Sequence, residues 1–462
     1  MEWLTVLPPL IAIAVVVWKK EVILALLVAV FSAELILAVQ HESNSVLYAF
    51  IGFIERIVSV VSSPSNTRLL MFSLLIGALL AYVKNSGGVS ALVQKLVSKG
   101  IAKSKRQVGA VTMLTGVVIF VESNLSVLTA GILSRDLFDK FKMSRARLAF
   151  IIDSTSAPIC ILILLNGWGA YILGLLNNYE LEQSSVSILW GTIPFNFYAI
   201  IALLMVVYTV VTDKVYGPMK ASEAKLETID IDDALLKEKV LKPTKARFMV
   251  IPLFTMIASM FFFMYWTGNG EISQGDGTQS VLYATCLAIG VAYFLLIGSK
   301  QFNHKEMVDI GFQGISDLLP LVVIVLFSLT LGASLKELGT GVFIASLVGD
   351  YLPLVLIIPM LFIVGGVISF STGTSWGTFA ILIPIGVPLI QSLGLPPSLV
   401  IAAILGGGIF GDHCSPISDT TAVSAVASGC DLLEHVKTQL PYALFGGAIT
   451  VLCYFFASLI ML

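Results

Sequence analysis

Four clusters of polar residues interrupt otherwise apolar sequence. The first is Glu122-Ser123-Asn124 and the second Asp153-Ser154-Thr155-Ser156-Ala157-Pro158. The third is Thr372-Gly373-Thr374-Ser375, and the fourth runs from Gly411 to Thr421 as GDHCSPISDTT. Prolines at two of them remove a backbone donor and free a carbonyl. Carbonyls, hydroxyls and carboxylates together make an all-oxygen set, which suits a hard cation such as Na⁺ and not a soft transition metal. A carboxylate buried among apolar residues disfavours its bare charged form, so it is neutralised by a proton or by a cation. A group that must choose between the two can exchange them.

On this reading Asp419, Asp412, Ser415, Ser418, Thr420 and Thr421 form a sodium shell, with Asp153, Ser154 and Thr155 as its pseudo-symmetric partner. Glu122, Ser123, Asn124, Asp153, Thr372, Thr374 and Asp412 are the candidates for holding a proton or a solute. Ionisable residues inside a membrane are costly and mostly functional, which sets these aspartates apart from residues that only brace a helix. Glu122 reads as a ligand or proton carrier, with a structural hydrogen bond as the rival reading. His413 reads as a core or supporting histidine, since hard cations avoid imidazole. Cys414, Trp168 and Trp376 read as packing residues, with solute contact a minority reading for the two tryptophans. No Gly-x-x-x-x-Gly-Lys loop and no His/Cys metal-ligand spacing is present, which argues against ATP-driven transport and leaves an ion gradient as the driving force. No cofactor is expected beyond Na⁺ as a transported or coupling ion.

The elements that position these clusters are membrane helices. The 462 residues are 57% hydrophobic and 12% charged, about half the usual charged share of roughly 25%. That excludes a disordered chain, a nucleic-acid binder and an ordinary cytosolic enzyme. The net charge of -2 carries no information about partners. Apolar runs predict spans near 4–18, 21–39, 68–84, 147–176, 190–212, 246–266, 280–299, 318–335, 397–428 and 440–460. The start of the chain has no basic residues or cleavage site ahead of its apolar run and reads as a first span, not a removed signal. Cys160, Cys286, Cys414, Cys430 and Cys453 lie in apolar segments without paired spacing, as small core residues.

Charge sets the orientation. Lys19 and Lys20, the cluster Lys95, Lys99, Lys103, Lys105 and Arg106, the stretch Arg135 to Arg147, and the 213–247 linker are expected in the cytoplasm. The stretches Glu180 to Ser187 and Thr267 to Gln279 are expected outside. Basic loops flank 107–134 on both sides, so it enters and leaves on one side as a hairpin with Glu122, Ser123 and Asn124 at its tip. By alternation 353–392 is a hairpin from the outside, its tip at Ser371 to Gly377. The amphipathic stretches around Glu55-Arg56 and over 303–317 are expected to lie in the interface.

Short matches suggest an internal repeat: Ile51-Gly52-Phe53 with Ile310-Gly311-Phe312, Phe72-Ser73-Leu74 with Phe327-Ser328-Leu329, and Ser156-Ala157-Pro158-Ile159 with Cys414-Ser415-Pro416-Ile417. The expected fold is all-α and polytopic. A first unit, 1–212, carries hairpin 107–134 and broken helix 147–176. After a linker, 213–245, a second unit, 246–462, carries hairpin 353–392 and broken helix 397–428. About five spans per unit plus a hairpin invert the second unit relative to the first, a recurring transporter design with its site near the midplane.

The GDHCSPISDTT run resembles the signature of the NhaC family of Na⁺/H⁺ antiporters, as do Ile152-Asp153-Ser154-Thr155-Ser156-Ala157-Pro158 and Trp168-Gly169-Ala170-Tyr171. The resemblance covers the chain from about residue 66 onward. It implies the wider ion transporter superfamily, a scaffold with a transport domain of two hairpins and two broken helices, a homodimer, and in some members an elevator motion. Related proteins carry Asp-Asp-Tyr-x-Asn at the first hairpin tip, where this chain has Glu122-Ser123-Asn124-Leu125-Ser126.

The leading expectation is Na⁺/H⁺ exchange across the cell (inner) membrane of a prokaryote. The alternative is Na⁺-coupled carriage or exchange of a small organic solute, an amino acid or carboxylate. There Glu122, Asn124, Thr372 and Thr374 contact the solute, and the helix N-termini at both hairpin tips hold a carboxylate. No membrane-depth Arg or Lys stands out for an anion, and Glu122 suits an amine. A channel is disfavoured for want of a selectivity-filter repeat, and an enzyme for want of a nucleophile–base pair. The partners are then Na⁺ and H⁺ or a small solute, and the lipid bilayer, with no nucleic acid.

Overall fold

The computed structural model describes residues 2–40, 46–88, 104–120, 122–225, 244–340 and 352–462, with Ala91 and Phe343. Lys95, Lys99, Lys103 and much of the 213–247 linker lie outside the described residues. Helices and short connections account for everything described, and ten of these helices are long and apolar enough to cross a membrane. Five expected spans appear as Val22–Gln40, Pro64–Asn85, Arg247–Thr267, Gly277–Gly298 and Leu432–Met461.

Three expectations change. The first span opens as a 3-10 turn, Glu2–Val6, and continues as Leu7–Lys19. The 190–212 span divides into Ser185–Gly191, a 3-10 turn Ile193–Phe195 and Phe197–Thr212, because Pro194 lacks the amide a continuous helix needs. The stretches 303–317 and 318–335 are one 34-residue helix, His304–Glu337. Its start is a capping box: Asn303 Oδ1 accepts from Glu306 N at 2.9 Å, and Glu306 Oε2 accepts from Asn303 N at 2.8 Å.

Both hairpins are present. Lys105–Val118 turns into Ser123–Lys140, and Leu354–Thr372 into Ser375–Leu393. Each limb of the second holds 19 residues, about 28 Å of helix. Its turn needs glycine: Gly373 has φ +69°, and a Cβ there would sit 2.4 Å from the Ile417 carbonyl oxygen. Both broken helices are present too. One runs Arg145–Ser154, Ala157–Leu162 and Gly167–Leu176, bent by 43° before Gly167. The other runs Pro397–Cys414 and Asp419–Ser428.

Backbones approach closely at two helix pairs, as small residues permit in membranes. Leu354–Thr372 lies on Pro397–Cys414 with glycines facing: a Cβ on Gly407 would meet the Phe362 carbonyl oxygen at 2.5 Å, and one on Gly411 the Gly366 carbonyl oxygen at 2.3 Å. Pro64–Asn85 crosses His304–Glu337 where Gly77 and Gly314 meet, each Cβ position 2.2 Å from the other's carbonyl oxygen. Gly314→Leu is therefore expected to collapse the detergent-solubilised protein's size-exclusion peak into aggregate. Gly290→Leu, with no atom within 4 Å of its Cβ position, is expected to leave that peak unchanged. Equal profiles would refute the crossing.

The amphipathic helix Val46–Ser62 is largely exposed, with only Ala49 and Val60 buried. Its Arg56 pairs not with its neighbour but with Glu34 at 2.8 Å and Glu337 at 2.5 Å. Ser334 Oγ also donates to Glu34, at 2.7 Å, so three helices are tied at one buried carboxylate. The element order of residues 7–212 recurs over 247–461: two helices, a helical run, a hairpin, a broken helix and a closing helix.

Candidate functional site

Both hairpin tips and both broken helices meet at one cavity of about 280 Å³. The first tip contributes Glu122, Ser123 and Asn124, and the second Thr374 and Trp376. The second broken helix contributes Asp412, Asp419 and Thr420, and the first Gly167 and Trp168. Ile76, Leu80, Leu318, Leu321 and Ile324 close the opposite wall, with Asp317 at its edge.

Three carboxylates are held by backbone amides. Glu122 is the N-cap of Ser123–Lys140, its carboxylate accepting from Asn124 N at 3.0 Å and Leu125 N at 2.5 Å. The structural hydrogen bond and the cavity position thus belong to the same residue. Asp412 Oδ2 accepts from Ser375 N at 3.1 Å and from the Ser375 hydroxyl. Ser369 Oγ lies 3.4 Å from Asp412 Oδ1 while donating to the Gly408 carbonyl at 2.6 Å. Asp412 therefore clamps the tip of the second hairpin to the second break. Asp419 Oδ1 accepts from Thr420 N at 2.8 Å. Negative charge at these helix starts is also favoured by the helix dipole.

Other expected site residues lie apart from the cavity wall. Thr372 Oγ1 donates to the Ile368 carbonyl at 2.9 Å, Ser415 Oγ to the Phe370 carbonyl at 2.7 Å and Thr155 Oγ1 to the Ile151 carbonyl at 2.7 Å. Ser418 and Thr420 hydroxyls meet at 3.1 Å. Ser154 is buried in its helix. Asp153, fully buried, sits in a separate network. Its Oδ2 accepts from Gln439 Nε2 at 2.7 Å, with His435 Nε2 at 3.3 Å and Thr421 Oγ1 at 3.4 Å. Thr421 Oγ1 also donates to the Asp412 carbonyl at 3.1 Å, and Gln439 Nε2 to the His413 carbonyl at 3.1 Å. The network thus fastens the second break to the last helix. His413 itself bonds Tyr198 Oη through Nδ1 at 3.0 Å, as a core histidine.

Trp168 and Trp376 form one wall, centroids 5.1 Å apart and planes at 51°. Tyr171 joins them, 5.0 Å from Trp376. Asn166 sets this corner: its Oδ1 accepts from Trp168 N and Gly169 N at 3.0 and 3.1 Å, and its Nδ2 donates to the carbonyls of Phe120, Cys160 and Ile163. Sequence reasoning missed Asn166, Asp317, His435 and Gln439. An Asn directly before Gly-Trp-Gly is an N-cap signal, and the i, i+4 spacing of His435 and Gln439 puts both on one helix face.

Residues 159–459 match the model of the Na⁺/H⁺ antiporter family. An uncharacterised protein of Haemophilus influenzae is 30% identical over 95% of this chain and 88% of its own length. The malate-2H⁺/Na⁺-lactate antiporter of Bacillus subtilis is 32% identical over 176 residues, 36% of each chain. The solved YdaH transporter of Alcanivorax borkumensis shares the fold, with a TM-score of 0.61 at 13% identity over 89% of this chain and 88% of that one. With ten helices suited to a bilayer among the described residues and a family match over most of its length, this chain is a multi-pass membrane protein of the Na⁺/H⁺ antiporter family, a secondary transporter.

Proposed function

We propose that the protein exchanges Na⁺ for H⁺ at the cavity where both hairpin tips meet. The observation that carries this reading is the convergence of Glu122, Asp412 and Asp419 on one cavity. Asp412 and Asp419 take Na⁺ when ionised and a proton otherwise, so the site is loaded with one or the other. Thr420, on the cavity wall, and the carbonyls freed at the break support the ion, while Ser415, Ser418 and Thr421 brace the break through their own hydrogen bonds. Asp153, with Thr421, His435 and Gln439, forms the supporting network, and Ser154 and Thr155 stay within their own helix. The recurring element order supports two inverted units, 1–212 and 246–462, joined through 213–245. A homodimer in the cell membrane goes with this reading.

The test is purified protein in liposomes loaded with a pH dye, with Na⁺, Li⁺ or K⁺ added outside. Sodium-dependent proton movement that falls at least about tenfold in Asp419→Asn, roughly 1.4 kcal/mol of lost stabilisation, is the expected result. Full exchange in a folded Asp419→Asn variant would sink the assignment.

A second reading is Na⁺-coupled movement of an organic solute through the same cavity. Its volume and its tryptophan wall favour it, and the Bacillus subtilis relative is named for organic acids.

A further inference from the structure

At both hairpin tips the helix starts expected to receive a substrate carboxylate already hold a carboxylate of the protein itself. At the first tip Asn124 N and Leu125 N donate to Glu122. At the second, Ser375 donates through both its amide and its hydroxyl to Asp412. The protein's own carboxylates thus take three of the helix-start amides and one hydroxyl that an anionic solute would use.

What remains toward the cavity has the opposite character. Glu122, Asp317, Asp412 and Asp419 all line it, and no Lys, Arg or His is among its described lining residues. The buried Asn124 Oδ1 has no hydrogen-bond partner, an acceptor waiting for a donor. Trp168 and Trp376 also line the cavity, and indole rings attract cations within about 6 Å. At about 280 Å³ the space lies just below the range of small-molecule pockets, about 300–1,000 Å³, and is larger than a bare Na⁺ requires.

We propose that this cavity takes a small organic cation, a solute bearing a primary ammonium group. The ammonium donates to Asn124 Oδ1 and the Asp412/Asp419 carboxylates, and its carbon chain lies along Trp168 and Trp376. The proposal rests on the reading of this cavity as the transport site. Ammonium, Na⁺ and H⁺ then compete to neutralise the same carboxylates, and a second ammonium on the solute is met by Asp317.

The experiment uses the full chain and 1,5-diaminopentane, with succinate and glutamine as anionic and neutral controls. Intrinsic tryptophan fluorescence is titrated in detergent, and radiolabelled sodium exchange is measured in liposomes. The diamine is expected to change the fluorescence saturably, the controls not at all. Asp419→Asn is expected to raise the half-saturating concentration at least tenfold, and Trp376→Phe to diminish the signal. Saturating diamine is expected to bring sodium exchange to background. Sodium exchange untouched by diamine, with no fluorescence response, overturns the proposal and leaves Na⁺/H⁺ exchange standing. Equal response to succinate overturns it as well. Diamine binding without any sodium exchange supports the proposal and overturns the Na⁺/H⁺ reading; the absence of both overturns both.

Discussion

Asp412→Asn is expected to abolish transport while leaving the protein folded. An asparagine oxygen can still accept from Ser375 N and its hydroxyl, where Asp412 Oδ2 does now. Its amide can donate to Ser369 Oγ, 3.4 Å from the present Oδ1 and already committed as a donor to Gly408. The clamp on the second hairpin therefore survives, and only the negative charge is lost. The expected fall in sodium-dependent proton movement is at least about 100-fold, equivalent to roughly 2.7 kcal/mol. The melting temperature in detergent should stay within about 2 °C, since the substitution opens no cavity at this buried site and keeps the clamp's hydrogen bonds. An active Asp412→Asn variant would move the exchange site to Asp419 and Glu122.

The second large effect is structural. Arg147 is fully buried, at the start of Arg145–Ser154. Nη1 reaches Asp213 at 2.7 Å and Glu223 at 3.3 Å, and Nη2 donates to the Thr209 carbonyl at 2.8 Å. One guanidinium thus joins the first broken helix to the end of Phe197–Thr212 and to Gly217–Lys225. Arg147→Met fills the volume but strands the Thr209 carbonyl and two carboxylates. Breaking a fully buried pair on one side costs about 3–5 kcal/mol; here the two carboxylates are partly exposed, so a smaller but clear drop in melting temperature and in folded yield is expected. Arg147→Lys should recover part, because an ammonium lacks the fork that serves three acceptors. Unchanged melting in Arg147→Met would show that the three contacts carry no net stability.

Residues whose burden is electrostatic were the legible ones. Basic residues on both flanks of 107–134 and a polar interruption near its centre suffice to read a hairpin, because charge cannot rest in hydrocarbon and unpaired backbone must face a cavity. Glu122, Asn124, Asp412, Asp419 and Thr374 share one cavity for the same reason. Helix continuity was less legible. Asp317 was assigned to an interfacial stretch, but the helix from His304 runs unbroken past it and carries its carboxylate to the cavity edge. The Asp153 network was hidden because its partners, His435 and Gln439, sit in the first turns of the last helix, far along the chain. The partners of Arg56 are hidden for a similar reason. Glu34, its partner, is the lone charge within an apolar helix, and nothing local announces which helix will lie across it.

The glycine seam between Leu354–Thr372 and Pro397–Cys414 has a consequence for measuring motion. Side chains that mesh like gear teeth can slip by a rotamer, but two backbones in contact have no such play. The limb leading to the second tip and the helix ending in Asp412 therefore travel as one piece, whatever motion carries the cargo. Spin labels on Val367, exposed on the first of these helices, and on Ile417, exposed in the break just past the end of the second, would form a fixed ruler. Its unvarying length would calibrate any pair reaching from this piece to the helix of Pro64–Asn85.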